Sequence, residues 1–318
     1  MAPSPVSDEL PAARPSTDEL AARLGALLGT RLEVKIRELL GTGTFPKEVV
    51  RVRTEPGAVP PSLFVKYENG LEREHLRDRG GVPYEARVYS EVLSPAGFAR
   101  DVFLGAVEGS EGRAWLVLVY LEDGIRIMKV PDGRAMVEAA GWVGRLHRAF
   151  EQRDDGVLDA PWLIRYDVLR LRSWVALAAA AVRRVPERDS SVERLIARFQ
   201  ADGIDLLVRS TTLIHGEYYP KNVLLAGGRI HPVDWESAAV GPGEIDLAML
   251  TDGWPTALAG ECTARYAAAR WPEAVPPEFG SRLHWARVCT QLRWLAEHGF
   301  HADRLHELRT LARAEGWD

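Results

Sequence analysis

The residues best suited to chemistry stand together at His215-Gly216-Glu217-Tyr218-Tyr219-Pro220-Lys221-Asn222, with Val233-Asp234-Trp235 following after a short apolar stretch. Glu217 offers a carboxylate, Asn222 an amide oxygen five positions later, and Asp234 a second carboxylate twelve residues beyond Asn222. Hard oxygen donors of this kind suit magnesium, and a carboxylate held beside them can orient a hydroxyl toward nucleotide phosphates. His215 follows Leu213-Ile214 and borders a tight loop, so it reads as an architectural hydrogen-bonding residue rather than a proton shuttle. His147 ends an apolar helical stripe and reads as core.

A second group of residues lies earlier in the chain. Leu39-Leu40-Gly41-Thr42-Gly43-Thr44-Phe45 falls between two strand-like runs, where Gly41 and Gly43 permit a tight reversal and let backbone amides approach phosphates. No Gly-Lys-Ser/Thr follows, which excludes a Walker loop. Lys66 ends the apolar run Leu63-Phe64-Val65-Lys66 and is one of only five lysines in an arginine-rich chain. On the next helix, Glu85 sits at the margin of the apolar stripe formed by Ala86, Tyr89 and Leu93, within reach of Lys66, whereas Glu91 projects to the far side.

The elements that must position these residues follow from periodicity. Thr17 is expected to cap a helix running to about Leu28, with Asp18 and Glu19 in its first turn. Strand-like runs at Leu32–Leu40, Val49–Thr54 and Leu63–Tyr67 predict a three-stranded antiparallel start. A helix over Pro83–Leu93 and strands near Val102–Val107 and Trp115–Leu121 come next. From Asp132 onward helices are expected to dominate, broken by short strands around Leu213, Val223–Leu225 and Ile230–Val233. A β-rich amino half and a helical carboxyl half predict an α+β, two-lobed architecture with a hinge near Glu122–Gly124. The division expected is a disordered tail over 1–16, a nucleotide-binding lobe over 17–123, and a catalytic and substrate lobe over 124–318.

The order of Gly41 and Gly43, Lys66, Glu85, the apolar hinge strand, Gly144-Arg145-Leu146-His147, the His215–Asn222 loop, Val233-Asp234 and Ile245-Asp246-Leu247-Ala248 resembles the aminoglycoside phosphotransferase and choline kinase superfamily. The resemblance spans Leu32 to Leu250. It implies a protein-kinase-like fold with a small antiparallel β lobe and a larger helical lobe, and ATP and magnesium as cofactors. It further implies that Glu217 stands at the catalytic base, that Asn222 and Asp234 bind the metal, and that Asp246 braces the catalytic loop. Val119, Tyr120 and Leu121 would contact adenine through their backbone. Lys66 and the metal would neutralise charge on the transferred phosphoryl group. One residue departs from the pattern: Glu217 stands where the family has aspartate, and a misplacement of about 1 Å can cost ~10²-fold in rate.

The rest of the composition narrows the partners. With 318 residues, 46% of them hydrophobic, the chain can bury a substantial core. A net charge of −5 gives no basic footprint for nucleic acid or an anionic membrane. No run approaches the ~20 apolar residues of a membrane span. The absence of a signal-like amino terminus predicts a cytoplasmic protein, in which Cys262 and Cys289 are reduced thiols. From Thr251 to the end, nine acids face eight arginines, which is not the carboxylate excess a polycationic acceptor would favour. Trp254, Trp271, Trp285, Trp294 and Trp317 could stack on a sugar or aromatic acceptor, but at helical spacing most are expected to be core. The expected function is an ATP- and Mg-dependent small-molecule O-kinase acting on a hydroxyl of an antibiotic, sugar, amino alcohol or other metabolite. A nucleotide-binding pseudokinase or scaffold and a peptide Ser/Thr kinase of a biosynthetic pathway are the alternatives.

Overall fold

A computed structural model describes residues 14–41, 44–69, 79–109, 113–184, 189–299 and 301–316, and the chain divides into two compact units, Met1–Glu122 and Asp123–Asp318. The first unit opens with α1 (Thr17–Leu28). Its N-cap is Ser16, not Thr17: Ser16 is extended and its Oγ accepts from Glu19 N at 3.1 Å, which leaves Thr17 as the first helical residue. Gly29 closes the helix at φ 65°, where glycine meets no Cβ penalty. Of the predicted tail, Arg14 ion-pairs with Glu48 and the Pro15 carbonyl accepts from Arg37.

Five antiparallel strands follow: β1 (Glu33–Leu39), β2 (Lys47–Arg53), β3 (Ser62–Tyr67), β4 (Phe103–Glu108) and β5 (Ala114–Val119), in the order β1-β2-β3-β5-β4. Leu20 and Leu24, four residues apart on α1, pack on Val50, Leu63, Val65, Tyr67, Trp115 and Val117 of the sheet. Between β3 and β4, α2 (Gly81–Arg87) runs on into a π-helical turn, Val88–Leu93, which buries Val88, Tyr89, Val92 and Leu93. Beyond β5, Tyr120 N donates to the Ser62 carbonyl at 3.1 Å, and Glu122 accepts from Ser62 Oγ at 2.6 Å.

The second unit begins with β6 (Ile125–Arg126) and the long α3 (Arg134–Glu151). Next come β7 (Ile164–Arg165), α4 (Val168–Arg183), α5 (Ser190–Arg198), the short α6 (Ile204–Leu207) and β8 (Thr212–Ile214). The hairpin β9 (Val223–Ala226) and β10 (Arg229–Pro232) turns through Gly227 and Gly228, and β6 pairs with β9. β11 (Ala239–Gly241) lies between β7 and β8. Four helices complete the unit: α7 (Glu244–Thr251), α8 (Thr256–Arg270), α9 (Phe279–His298) and α10 (Ala302–Ala314). Close packing of α3 on α8 depends on Gly144, where an added Cβ would lie 2.8 Å from the Tyr266 carbonyl oxygen.

Three strands escape the sequence reading. β6, β7 and β11 are two or three residues long, too short for a period of two to register. The tryptophans also need correction. Trp285 is buried, but Trp254, in the turn between α7 and α8, Trp271, just past the end of α8, and Trp294 on α9 are half-buried; Trp317 lies outside the described residues. Trp271 carries the buried Arg270 guanidinium 4.5 Å from its ring centroid. Among the described residues, no helix is long and apolar enough to cross a membrane.

Candidate active site

In the first unit, β3 pairs with β2 and β5 on either side, Lys66 lying opposite Lys47 and Leu116, so its backbone is fixed from both edges. Lys66 is 5% exposed, and its ammonium donates to Glu85 Oε2 at 2.7 Å. Burying such a pair is costly unless the geometry is good, since each desolvated ion loses several kcal/mol of hydration. The ammonium also lies 5.3 Å from the centroid of the Phe45 ring. Glu91 pairs instead with Arg87 at 2.7 Å on the exposed side of the helix. Gly41 occupies the β1–β2 connection at φ 33°, and Gly43 lies outside the described residues. At the end of β5, Val119 N donates to the Val102 carbonyl at 2.8 Å, and the Tyr120 N–H is likewise engaged by Ser62.

The second unit builds its loop directly from β8. Gly216 has φ 77°, and a Cβ there would meet the Ser237 carbonyl oxygen at 2.1 Å, so the chain can reverse here only with glycine. His215 is buried, with Nε2 facing the Val233 carbonyl at 3.0 Å and Nδ1 facing Glu217 N at 3.3 Å. Those two contacts fix its tautomer: Nε2–H donates and Nδ1 accepts, so the ring ties the loop to the β10 exit. Its ring also lies 4.5 Å from that of Trp235.

The β9–β10 hairpin brings Asn222 and Asp234 together. Val223 pairs with Pro232, so Asn222 and Val233 form the next rung, sealed by Val233 N donating to the Asn222 carbonyl at 2.9 Å. Asp234 follows at once. Asn222 Nδ2 donates to the Glu217 carbonyl at 3.0 Å, which commits the amide nitrogen and leaves Oδ1 as the side-chain donor atom for a cation. Asp234 has φ 71° and ψ 57°, and it is the one non-glycine residue with positive φ among the described residues. Strain of this kind persists where the surroundings over-determine it, commonly at functional positions. An amide oxygen and a carboxylate at the open end of one hairpin fit magnesium.

A buried polar chain holds the loop from behind. Asp246 on α7 accepts from His215 N at 2.7 Å and from Gly216 N at 3.0 Å. His147 Nε2 lies 3.2 Å from Asp246 Oδ2, and Tyr266 Oη lies 2.9 Å from His147 Nδ1. Arg270 Nη1 donates to Tyr266 Oη at 2.5 Å, so the only consistent order is Arg270 to Tyr266 to His147 to Asp246. Burial depresses the His147 pKa against the pull of Asp246, so the ring is neutral, as that order requires. Burial raises the Tyr266 hydroxyl well above its usual value, which keeps it a donor.

Arg293, which the sequence reading passes over, reaches the same loop from α9. Its Nη1 donates to the Gly216 carbonyl, its Nη2 stands 3.5 Å from Glu217 Oε1, and its Nε donates to Glu297 Oε1 at 2.6 Å. The guanidinium also faces the rings of Tyr166 at 5.5 Å and Trp174 at 5.3 Å. Burial opposes its charge, but Tyr166, Glu297 and Glu217 more than offset that and raise its pKa. Beside it, burial pushes the Tyr219 hydroxyl up to about 12, with Arg293 working against this and Glu217 with it. A signal existed in the sequence: a glutamate in the aspartate position asks for a new partner, and α9 carries arginines at Arg282, Arg287 and Arg293.

Comparison with known proteins bears on this geometry. Aminoglycoside 2'-phosphotransferase-IIIa, solved as its GDP complex, superposes with a TM-score of 0.60 at 14% identity, covering 95% of this chain and 100% of that one. Choline kinase LicA from Streptococcus pneumoniae gives 0.59 at 15% identity, covering 93% and 97%. Spectinomycin phosphotransferase APH(9)-Ia, solved with ADP and spectinomycin, gives 0.54 at 13% identity, covering 96% and 95%. At these identities the likeness establishes the kinase-like α+β fold. The sequence finds no significant match among curated proteins. The model of the phosphotransferase enzyme family, APH, matches residues 48–280, a span that takes in Lys66, Glu85, the His215–Asn222 loop, Asp234 and Asp246, and the chain belongs to that family.

Proposed function

We propose that this chain transfers the γ-phosphoryl group of ATP to a hydroxyl of a small molecule, an antibiotic, sugar, amino alcohol or other metabolite. The observation that carries the reading is the β9–β10 hairpin, which sets Asn222 and Asp234 side by side at the exit of the loop that bears Glu217. In a member of the phosphotransferase family, these are the residue types that the reaction needs. Glu217 receives a hydrogen bond from the acceptor hydroxyl and aligns its oxygen with the γ-phosphorus. The new P–O bond forms as the bond to the β–γ bridging oxygen breaks, ADP leaves, and the hydroxyl proton passes to Glu217 or to solvent. Asn222 Oδ1 and the Asp234 carboxylate would hold magnesium, which supplies charge neutralisation at the phosphates. Lys66, held by Glu85, adds a fixed positive charge for the phosphates. A nucleotide base would use the carbonyls of Val119–Leu121 and the Leu121 N–H, since the N–H groups of Val119 and Tyr120 already donate within their unit. A cytoplasmic location, where ATP is abundant, belongs to the same proposal.

The departure at Glu217 favours one competing reading, a nucleotide-binding protein without transfer. An acceptor screen with ATP and with GTP, in the presence of magnesium, separates the two. Acceptor-dependent ADP release is expected, falling by ~10²- to 10⁴-fold in Glu217→Ala and below detection in Asp234→Ala. Nucleotide binding with no transfer to any acceptor would establish the competing reading, and full activity in Glu217→Ala would remove Glu217 from the chemistry.

A further inference from the structure

We infer that Arg293 is a positioning residue for Glu217, a clasp that sets the longer carboxylate where the loop would otherwise need aspartate. The inference rests on the reading of Glu217 as the group that receives the acceptor hydroxyl. Glutamate has one more carbon and one more torsion than aspartate, so its carboxylate reaches about 1.5 Å farther and samples more rotamers. Unrestrained, that freedom would be lost only on binding substrate, at a cost in rate. Arg293 removes it in advance. Its two terminal nitrogens hold two points of the same turn, Nη1 the Gly216 carbonyl and Nη2 Glu217 Oε1 at 3.5 Å.

Three features make this a device rather than an incidental contact. Arg293 is 3% exposed and Glu217 5%, so the charge pair is shielded from water and from salt. The guanidinium is itself anchored, by Glu297 at 2.6 Å and against the perpendicular ring pair of Tyr166 and Trp174, so it cannot follow a wandering partner. The contact to Glu217 is an ion pair at 3.5 Å rather than a short hydrogen bond, so it aims the carboxylate without saturating its acceptor capacity. A lysine could not substitute, because a point charge does not span both oxygens of the turn. An aspartate at 217 would draw its oxygens away from the fixed guanidinium.

The test is a double-mutant cycle of Arg293→Met and Glu217→Asp, read as kcat and KM for ATP turnover and as melting temperature. Glu217→Asp is expected to lower kcat ~10²-fold with Arg293 present and less than about 3-fold in the Arg293→Met background. KM for ATP should stay within about 2-fold throughout, since a clasp on the acceptor side carries no nucleotide contact. Should Arg293→Met not fold, Arg293→Lys replaces it, with the same loss of kcat expected because the charge remains and the fork does not. Rate losses that multiply across the cycle would overturn the inference, as a purely structural arginine would produce them. If the wild type transfers to no acceptor, the proposed reaction fails, and the melting temperatures alone decide the clasp: losses smaller in the double variant than the sum of the singles support it, and additive losses overturn it.

Discussion

Asp234 sits at φ 71°, a left-handed conformation that costs an L-residue roughly 1–2 kcal/mol and costs glycine little. A residue chosen only for stability at that position would be glycine, as at Gly227 and Gly228 in the preceding turn. Asp234→Gly and Asp234→Ala remove the same carboxylate, so their difference isolates the backbone. The glycine variant is expected to be more stable than the alanine variant by about 1 kcal/mol, while both lose phosphotransfer. Urea unfolding of the two, alongside the acceptor assay, measures each half. Equal stability would mean that the left-handed conformation carries no strain, and residual activity in either would dismiss the carboxylate as a required ligand.

Among elements, the turn between β8 and the β9–β10 hairpin is held most tightly at Gly216. An added methyl would meet the Ser237 carbonyl oxygen at 2.1 Å and Tyr166 Oη at 2.9 Å, and φ is 77°. Left-handed strain and overpacking together predict that Gly216→Ala loses roughly 2–5 kcal/mol, or about 5–15 °C in melting temperature. Gly227→Ala is the control, since its φ is 52° but nothing lies within 4 Å of the added atom; it should lose only about 1–2 kcal/mol. Similar losses in both would refute the close approach at Ser237. The two glycines also mark what could be read in advance. The His215–Asn222 spacing points to a loop of this chemistry, and the apolar run ending at Lys66 points to the strand that carries that lysine. No local pattern discloses that Gly216 presses on Ser237, or that Arg293, 77 residues further along the chain, returns to its carbonyl. Such contacts depend on which helix packs where. The same holds for β7 and β11, whose pairing of Ile164 with Ala239 joins segments far apart in sequence, and for Ser16, which takes the cap expected of Thr17 because the turn geometry decides between adjacent hydroxyls.

Across the whole molecule, buried ionisable groups divide the pH response of stability into two windows. Glu48 is held ionised by Arg37, Tyr67 and Arg14 against the effect of burial, and Glu151 likewise by Arg270 and Ser210, so both carboxylates have lowered pKa values. A lowered folded pKa gives stability that is complete above the unfolded value of about 4.3 for glutamate and is lost as pH falls through the folded value. His147 acts earlier on the same descent. Burial lowers its pKa below that of the unfolded chain, so the native state takes up fewer protons than the unfolded state once pH drops under about 6.5. Stability should then fall with decreasing pH by up to ~1.4 kcal/mol per unit, well before the carboxylates titrate. Protonation would also place a second N–H on His147 Nδ1 against Tyr266, which already directs its own hydrogen there, so the chain of donors running to Asp246 cannot persist. His147→Gln keeps an amide donor toward Asp246 but has no proton to gain. Its stability should be lower than wild type at pH 7.5, with the difference between them shrinking as pH falls from 6.5 to 5.5. Denaturant unfolding of both proteins at half-unit pH steps measures that difference directly. Curves that stay parallel from pH 7.5 to 5.5 would show that His147 does not control this window, and the tautomer order assigned to the buried chain would fall with it.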